Sequence, residues 1–110
     1  MNVTEKLRRM YSLEGKVVVI TGAAGGICSE MARTVAQAGA TLALCDIKMD
    51  SLSALLPTLE GTGHTAHQVD LRSVQQITDC VKEIVAQHGR IDGLINGAGT
   101  SKRLGFLDVD

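Results

Sequence analysis

The sequence predicts an α/β fold, the first half of a doubly wound parallel sheet with strand order 3-2-1-4. Three observations point there. Short apolar, β-branched runs alternate with segments whose apolar residues repeat at three and four, the links between them are short, and a glycine-rich turn follows the first run.

Taken in order, residues 1–12 precede the pattern and form an N-terminal arm. Val3, Leu7 and Met10 fit one face of a short helix, and a frayed arm fits equally well. Val17 to Ile20, bounded by Gly15 and Gly22, is a continuous β-branched run and reads as a buried central strand. Ile27, Met31, Val35 and Ala38 then stand at helical spacing, with Gly39 as the stop. Thr41 to Cys45 reads as a second buried strand ending at Asp46. Asp50 is the expected cap of a helix with Leu52, Leu55, Leu56 and Leu59 on its apolar face, its last turn weakened by Pro57. Gly61 and Gly63 mark a turn before a third strand over His64 to Val69. Ser73 with Gln76 is a capping-box signature. It opens a helix carrying Val74, Ile77, Val81, Ile84, Val85 and His88, closed by Gly89. Ile91 to Ile95 is the fourth strand, followed by Asn96-Gly97-Ala98-Gly99. With right-handed crossovers this βαβαβαβ order gives a Rossmann-type half-sheet over residues 13–110. The outer edge of strand four then lacks a neighbour, which invites a homo-oligomer or pairing with another chain.

Composition narrows the function. At 110 residues the chain holds one domain, and a formal charge of −1 with no basic stripe leaves no nucleic-acid footprint. Tyr11 and Phe106 are the only aromatic residues, too few to stack bases. No apolar run approaches the roughly 20 residues that cross a bilayer, so no membrane role is expected. The charged start is not a secretory signal. Cys28, Cys45 and Cys80, odd in number and widely spaced, fit a reduced cytoplasmic protein. No metal site is expected: His64 and His67, an odd distance apart on one strand, point to opposite faces. His88, in the last turn of its helix, reads as a partner for the dipole there.

The chemistry sits in the first turn, Thr21-Gly22-Ala23-Ala24-Gly25-Gly26-Ile27-Cys28. Glycines let the backbone turn tightly and approach a diphosphate, and the next helix presents free N–H groups and its positive dipole end to that anion. Asp46 ends the second strand about 20 residues later, where a dinucleotide fingerprint places an acid. Its carboxylate can accept both adenosine ribose hydroxyls and repels a 2′-phosphate, and neither Ala24 nor Ile47 brings a compensating charge. Lys48 is the one cation close by. NAD is therefore the expected cofactor, with NADP second. No Gly-Lys-Ser/Thr follows the turn, so a P-loop is excluded.

With these residues the chain resembles the short-chain dehydrogenase/reductase family. Gly15-Lys16, Thr21-Gly22 with Gly26-Ile27, Asp46, Asp70 and Asn96-Gly97-Ala98-Gly99 keep that family's order and approximate spacing, over nearly everything from Leu13 onward and about half of a typical member. The resemblance implies an oxidoreductase that passes a hydride between NAD and an alcohol or ketone. It implies that Asp70 meets the adenine amino group and that Leu71 packs around the ring. Asn96, Gly97, Ala98 and Gly99 would form a loop beside the adenosine, with Ile27 near the pyrophosphate and the nicotinamide ribose. The binding set is then Gly22, Ala24, Gly25, Gly26, Ile27, Asp46, Ile47, Asp70, Leu71, Asn96, Gly97, Ala98 and Gly99.

Two positions depart from the family: Cys28 stands where glycine is usual, and Gly97 where a second asparagine is usual. Cys28 reads as a small packing residue, with a reactive, lowered-pKa thiol at a helix N-terminus as the alternative. Gly97 removes a polar side chain beside the adenosine. The family's chemistry also needs a tyrosine acid/base, a lysine four residues later and a substrate-holding serine. In members these come after the matched segment, and Tyr11, with Gly15 four residues on, cannot replace them. No catalytic residue is therefore expected within these 110 residues. A non-catalytic dinucleotide-binding or regulatory module is the alternative. An S-adenosylmethionine-dependent methyltransferase, which shares the turn and the acid, fits Asn96…Gly99 less well.

Overall fold

The computed structural model describes residues 2, 3, 6, 10 and 12–97. Ala98 and Gly99 of the expected site lie outside them. Strand β1 spans Val17–Thr21 and β2 spans Thr41–Asp46; between them runs helix α1, Gly26–Gln37. Helix α2, Met49–Leu55, continues into a 3-10 turn over Leu56–Thr58, the tightening that Pro57 imposes. Strand β3 is Thr65–Gln68, α3 is Val74–His88 and β4 is Gly93–Asn96, so β3 and β4 are shorter than the runs that predict them. All strands pair parallel in the order β3-β2-β1-β4, as the alternating pattern requires. Val19 lies opposite Ala43, Leu44 opposite Ala66, and Ile20 opposite Ile95. Among the described residues no helix is long and apolar enough to cross a membrane.

Alternation along the strands builds two cores. Val18, Ile20, Leu42 and Leu44 face α1 and α2 and pack on Ala32, Ala36, Leu52, Leu55 and Leu59. Val19, Ala43 and Cys45 face the other way, onto Val69, Ile84, Ile77 and Cys80. Fully burying a side chain such as Leu42 or Leu44 contributes roughly 1.5–3 kcal/mol. On the α3 side Cys45 and Cys80 bring their sulfurs to 3.8 Å beside an apolar hollow of about 340 Å³.

Three sequence expectations need correction here. The buried face of α1 is Cys28, Ala32 and Ala36, one position on from the expected stripe; of that stripe Val35 packs partly buried against the core, while Ile27 and Met31 are exposed. The helix lies so close to the sheet that small side chains take the contact. Asp50 is not a cap: α2 begins at Met49, and the cap position belongs to Lys48, without a side-chain bond. His88 is not a cationic dipole partner, because burial and the neighbouring His67 and His64 push its pKa down. It reaches Thr65 Oγ1 through Nε2 at 2.7 Å. Thr65 also meets His67 Nε2 at 2.7 Å, and His67 Nδ1 lies 2.6 Å from Glu83 Oε1. Thr65 Oγ1 thus bridges the two imidazoles, and His67 carries the contact on to the Glu83 carboxylate. That relay ties β3 to α3.

The stops match their expectations. Gly39, at φ +106°, ends α1, and Gly89, at φ +80°, ends α3. Ser73 Oγ accepts the Gln76 N–H at 3.2 Å, one half of the capping box. The other half is redirected, since Gln76 Oε1 accepts from the Asp70 N–H at 2.8 Å.

Candidate functional site

The C-terminal ends of β1, β2 and β3 open onto one cavity of about 490 Å³. That is within the usual range for small-molecule sites. Gly22, Ala24 and Gly25 line it from the first turn, Asp46 and Ile47 from the end of β2, Asp70 and Leu71 from the end of β3, and Gly97 from beyond β4. Residues far apart in sequence are thus brought together. Gly26 and Ile27 line a separate groove along α1, and Ile27 is 80% exposed. Asn96 does not line the main cavity; its Oδ1 accepts from Thr21 Oγ1 at 2.7 Å and ties β4 to β1.

The turn is built for close approach. Gly22 has φ +67°, a conformation only glycine adopts readily. The Gly25 N–H donates to the Gly22 carbonyl at 3.0 Å, and the first bond of α1 proper runs from Ser29 N–H to Gly25 O. The amides of Gly26, Ile27 and Cys28 therefore have no protein acceptor among the described residues, and no acidic side chain sits in that first turn. Three free donors at the positive end of a helix dipole suit a diphosphate.

Asp46 is aimed rather than loose. Its Oδ2 accepts the Ala24 N–H at 3.0 Å and its Oδ1 accepts the Lys48 N–H at 2.9 Å. A carboxylate oxygen takes more than one donor, so capacity remains for hydroxyls in the cavity. The Ala23 N–H bonds the Cys45 carbonyl, which ties the same turn to β2 a second time. The sequence marks Asp46 as an expected ribose acceptor but not as the anchor of the glycine turn, which the structure adds.

Asp70 stands across the cavity, paired with a residue that sequence reasoning missed. Arg72 donates to it through Nε at 3.1 Å, Nη2 at 2.9 Å and its own N–H at 2.9 Å. The guanidinium holds the Asp70 carboxyl below the usual carboxylate range, and Arg72 rises in turn. Arg72 lines the cavity beside Lys48. Two positions apart in a loop, the pair follows no periodicity that a sequence pattern would flag.

Cys28 is 7% exposed, and burial, with Asp46 nearby, pushes its thiol pKa up. The reactive-thiol alternative is thereby set aside in favour of packing. Among the described residues no group of three His, Cys, Asp or Glu comes together as a metal site.

A parallel 3-2-1-4 sheet, a glycine turn at the first crossover and an acid ending β2 define a nucleotide-binding α/β unit of Rossmann type. The sequence profile described as short chain dehydrogenase matches residues 16–110, and the chain belongs to that family. It is 40% identical over 102 residues to "Oxidoreductase UcpA" of Salmonella typhimurium, covering 91% of this chain and 38% of that protein. In structure it resembles a short-chain type dehydrogenase/reductase from Mycobacterium marinum, with TM-score 0.78, 28% identity, and coverage of 100% of this chain and 44% of the other. It also resembles a 3-ketoacyl-(acyl-carrier-protein) reductase from Brucella melitensis complexed with NADH, with TM-score 0.70, 27% identity, and coverage of 76% and 34%. The chain spans about 38% of the length of the UcpA relative.

Proposed function

We propose that this chain is the cofactor-binding portion of a short-chain oxidoreductase that passes a hydride between NAD and an alcohol or ketone carbon. The aimed Asp46 carboxylate carries the reading: it lines the cavity, bonded to the turn that would hold the diphosphate. Gly22, Ala24, Gly25, Gly26 and Ile27 take the diphosphate and the nicotinamide ribose, with the free amides of the first α1 turn as donors. Asp46 and Ile47 take the adenosine ribose, and Asp70 and Leu71 the adenine. Asn96 and Gly97, with Ala98 and Gly99, form the loop beside it. The cofactor supplies the hydride chemistry when bound. This segment binds and orients it; the tyrosine, lysine and serine of the family's chemistry have no counterpart in these 110 residues. We place the protein in the cytoplasm.

Charge supports NAD over NADP. Asp46 repels a 2′-phosphate, and the Arg72 guanidinium is already engaged by Asp70. Titration with NADH, NADPH and S-adenosylmethionine tests the reading, with NADH expected to bind tightest. Asp46→Ala should weaken NADH more than NADPH. Equal losses would remove Asp46 as the ribose ligand, and tightest binding of S-adenosylmethionine would overturn the assignment.

One observation favours a second reading, a non-catalytic module that pairs with another chain. Among the described residues β4 has a strand neighbour on the β1 side alone, and Leu94 is 63% exposed. Intact-mass measurement of the natural product separates the two, since a species near twice this length would remove the module reading.

A further inference from the structure

The two departures from the family pattern touch each other. Gly97 follows β4 and donates its N–H to the Thr21 carbonyl at 3.0 Å. It is not among the glycines with positive φ, so its conformation does not demand glycine. Space does. A Cβ placed on Gly97 would fall inside the van der Waals envelope of Cys28 Sγ, 3.4 Å from Cys28 Cβ and 3.0 Å from the Thr21 carbonyl oxygen. Cys28 has little room to retreat, being buried on the inner face of α1 within the Ala32 and Ala36 core.

We infer that Cys28 and Gly97 are one matched exchange, in which the thiol occupies the volume a side chain at position 97 would need, and that Cys28 is thereby a positioning residue for the dinucleotide turn. The family usually has glycine at the first position and asparagine at the second; this chain carries a side chain at the first and none at the second. The thiol fills the gap between the start of α1 and the end of β4. Two ties join β4 to β1 beside that gap, Gly97 N–H to Thr21 O and Thr21 Oγ1 to Asn96 Oδ1. Filling it seats the end of β4 against the turn whose free amides are proposed to take the diphosphate. A buried thiol with a raised pKa suits this role, since it stays neutral against the nearby Asp46.

A double-mutant cycle on the full chain tests the pairing: Gly97→Ala, Cys28→Ala and the double variant, each measured by urea midpoint and by NADH affinity. Cys28→Ala removes Sγ and keeps helix propensity. Gly97→Ala alone should lower the urea midpoint and weaken NADH by about tenfold or more, the scale of an overpacked contact. Adding Cys28→Ala to it should recover most of both losses. A Gly97→Ala chain equal to the unaltered one, or a double variant losing the sum of the single losses, would overturn the inference. Should Gly97→Ala fail to fold, a folded double variant supports the pairing and an unfolded one refutes it. The affinity arm rests on the dinucleotide reading and the urea arm does not. An unaltered chain that ignores NADH defeats that reading, while the urea cycle still decides the pairing.

Discussion

The two faces of the sheet are covered very differently. On the α1 and α2 side, Ile20, Leu42, Leu44 and Leu52 are all 0% exposed. On the α3 side, among the described residues, a single helix covers β1 and β2, and Val81, Val85, Ile91 and Leu94 around it are 45%, 44%, 39% and 63% exposed. The candidate site draws on both. The end proposed for the diphosphate is held by α1 and by Asp46, within the sealed half. The end proposed for the adenine, Asp70 and Leu71, hangs on the start of α3, where the Ser73 N–H donates to the Asp70 carbonyl at 3.0 Å and Gln76 takes the Asp70 N–H. One cavity thus has a firmly packed end and an end that depends on one helix cap.

Truncation on the two faces should break the symmetry most visibly. Leu44→Ala, in the sealed core, should cost about 2–5 kcal/mol by urea unfolding, whereas the exposed Leu94→Ala should stay within about 0.5 kcal/mol. Comparable losses would show that the open face is packed as tightly as the other. Ser73→Ala removes the cap of α3 and should cost about 1 kcal/mol. NADH affinity should fall with it, because the Asp70 loop is tied to that helix start. A stability loss with unchanged affinity would detach the adenine end from α3.

The smallest expected effect is the pH dependence of the open face. His88 is held below its ordinary pKa, so the unfolded chain binds its proton first as pH falls. The contribution is complete above about pH 6.5 and is lost as pH drops from there toward the lowered folded value. Urea midpoints at pH 7.5 and at pH 5.5 should therefore differ, and His88→Gln should narrow the gap. An unchanged gap in His88→Gln would place the sensitivity elsewhere.

Strand order and element sequence are legible in the chain because parallel α/β units leave a two-period signature: apolar β-branched runs for strands buried on both sides, and three-and-four spacing for the helices that cover them. Asp46 is legible for the same reason, since the end of a buried run marks the strand terminus at which a ligand-facing side chain can stand. The packing phase of α1 is not. Sequence weight falls on the large residues Ile27 and Met31, while the fully buried contact is made by Cys28, Ala32 and Ala36. Hydrophobic size and burial part company where backbones approach closely. The Arg72–Asp70 pair and the Cys28–Gly97 contact are also hidden, one because loop neighbours carry no period, the other because its halves meet only after the sheet has formed.

The most direct test of the dinucleotide site is a crystal of the folded chain soaked with NAD. The diphosphate is expected over the turn from Gly22 to Gly26, with the adenosine ribose hydroxyls on the Asp46 carboxylate. A nucleotide bound elsewhere, or no nucleotide at saturating NAD, would contradict that assignment.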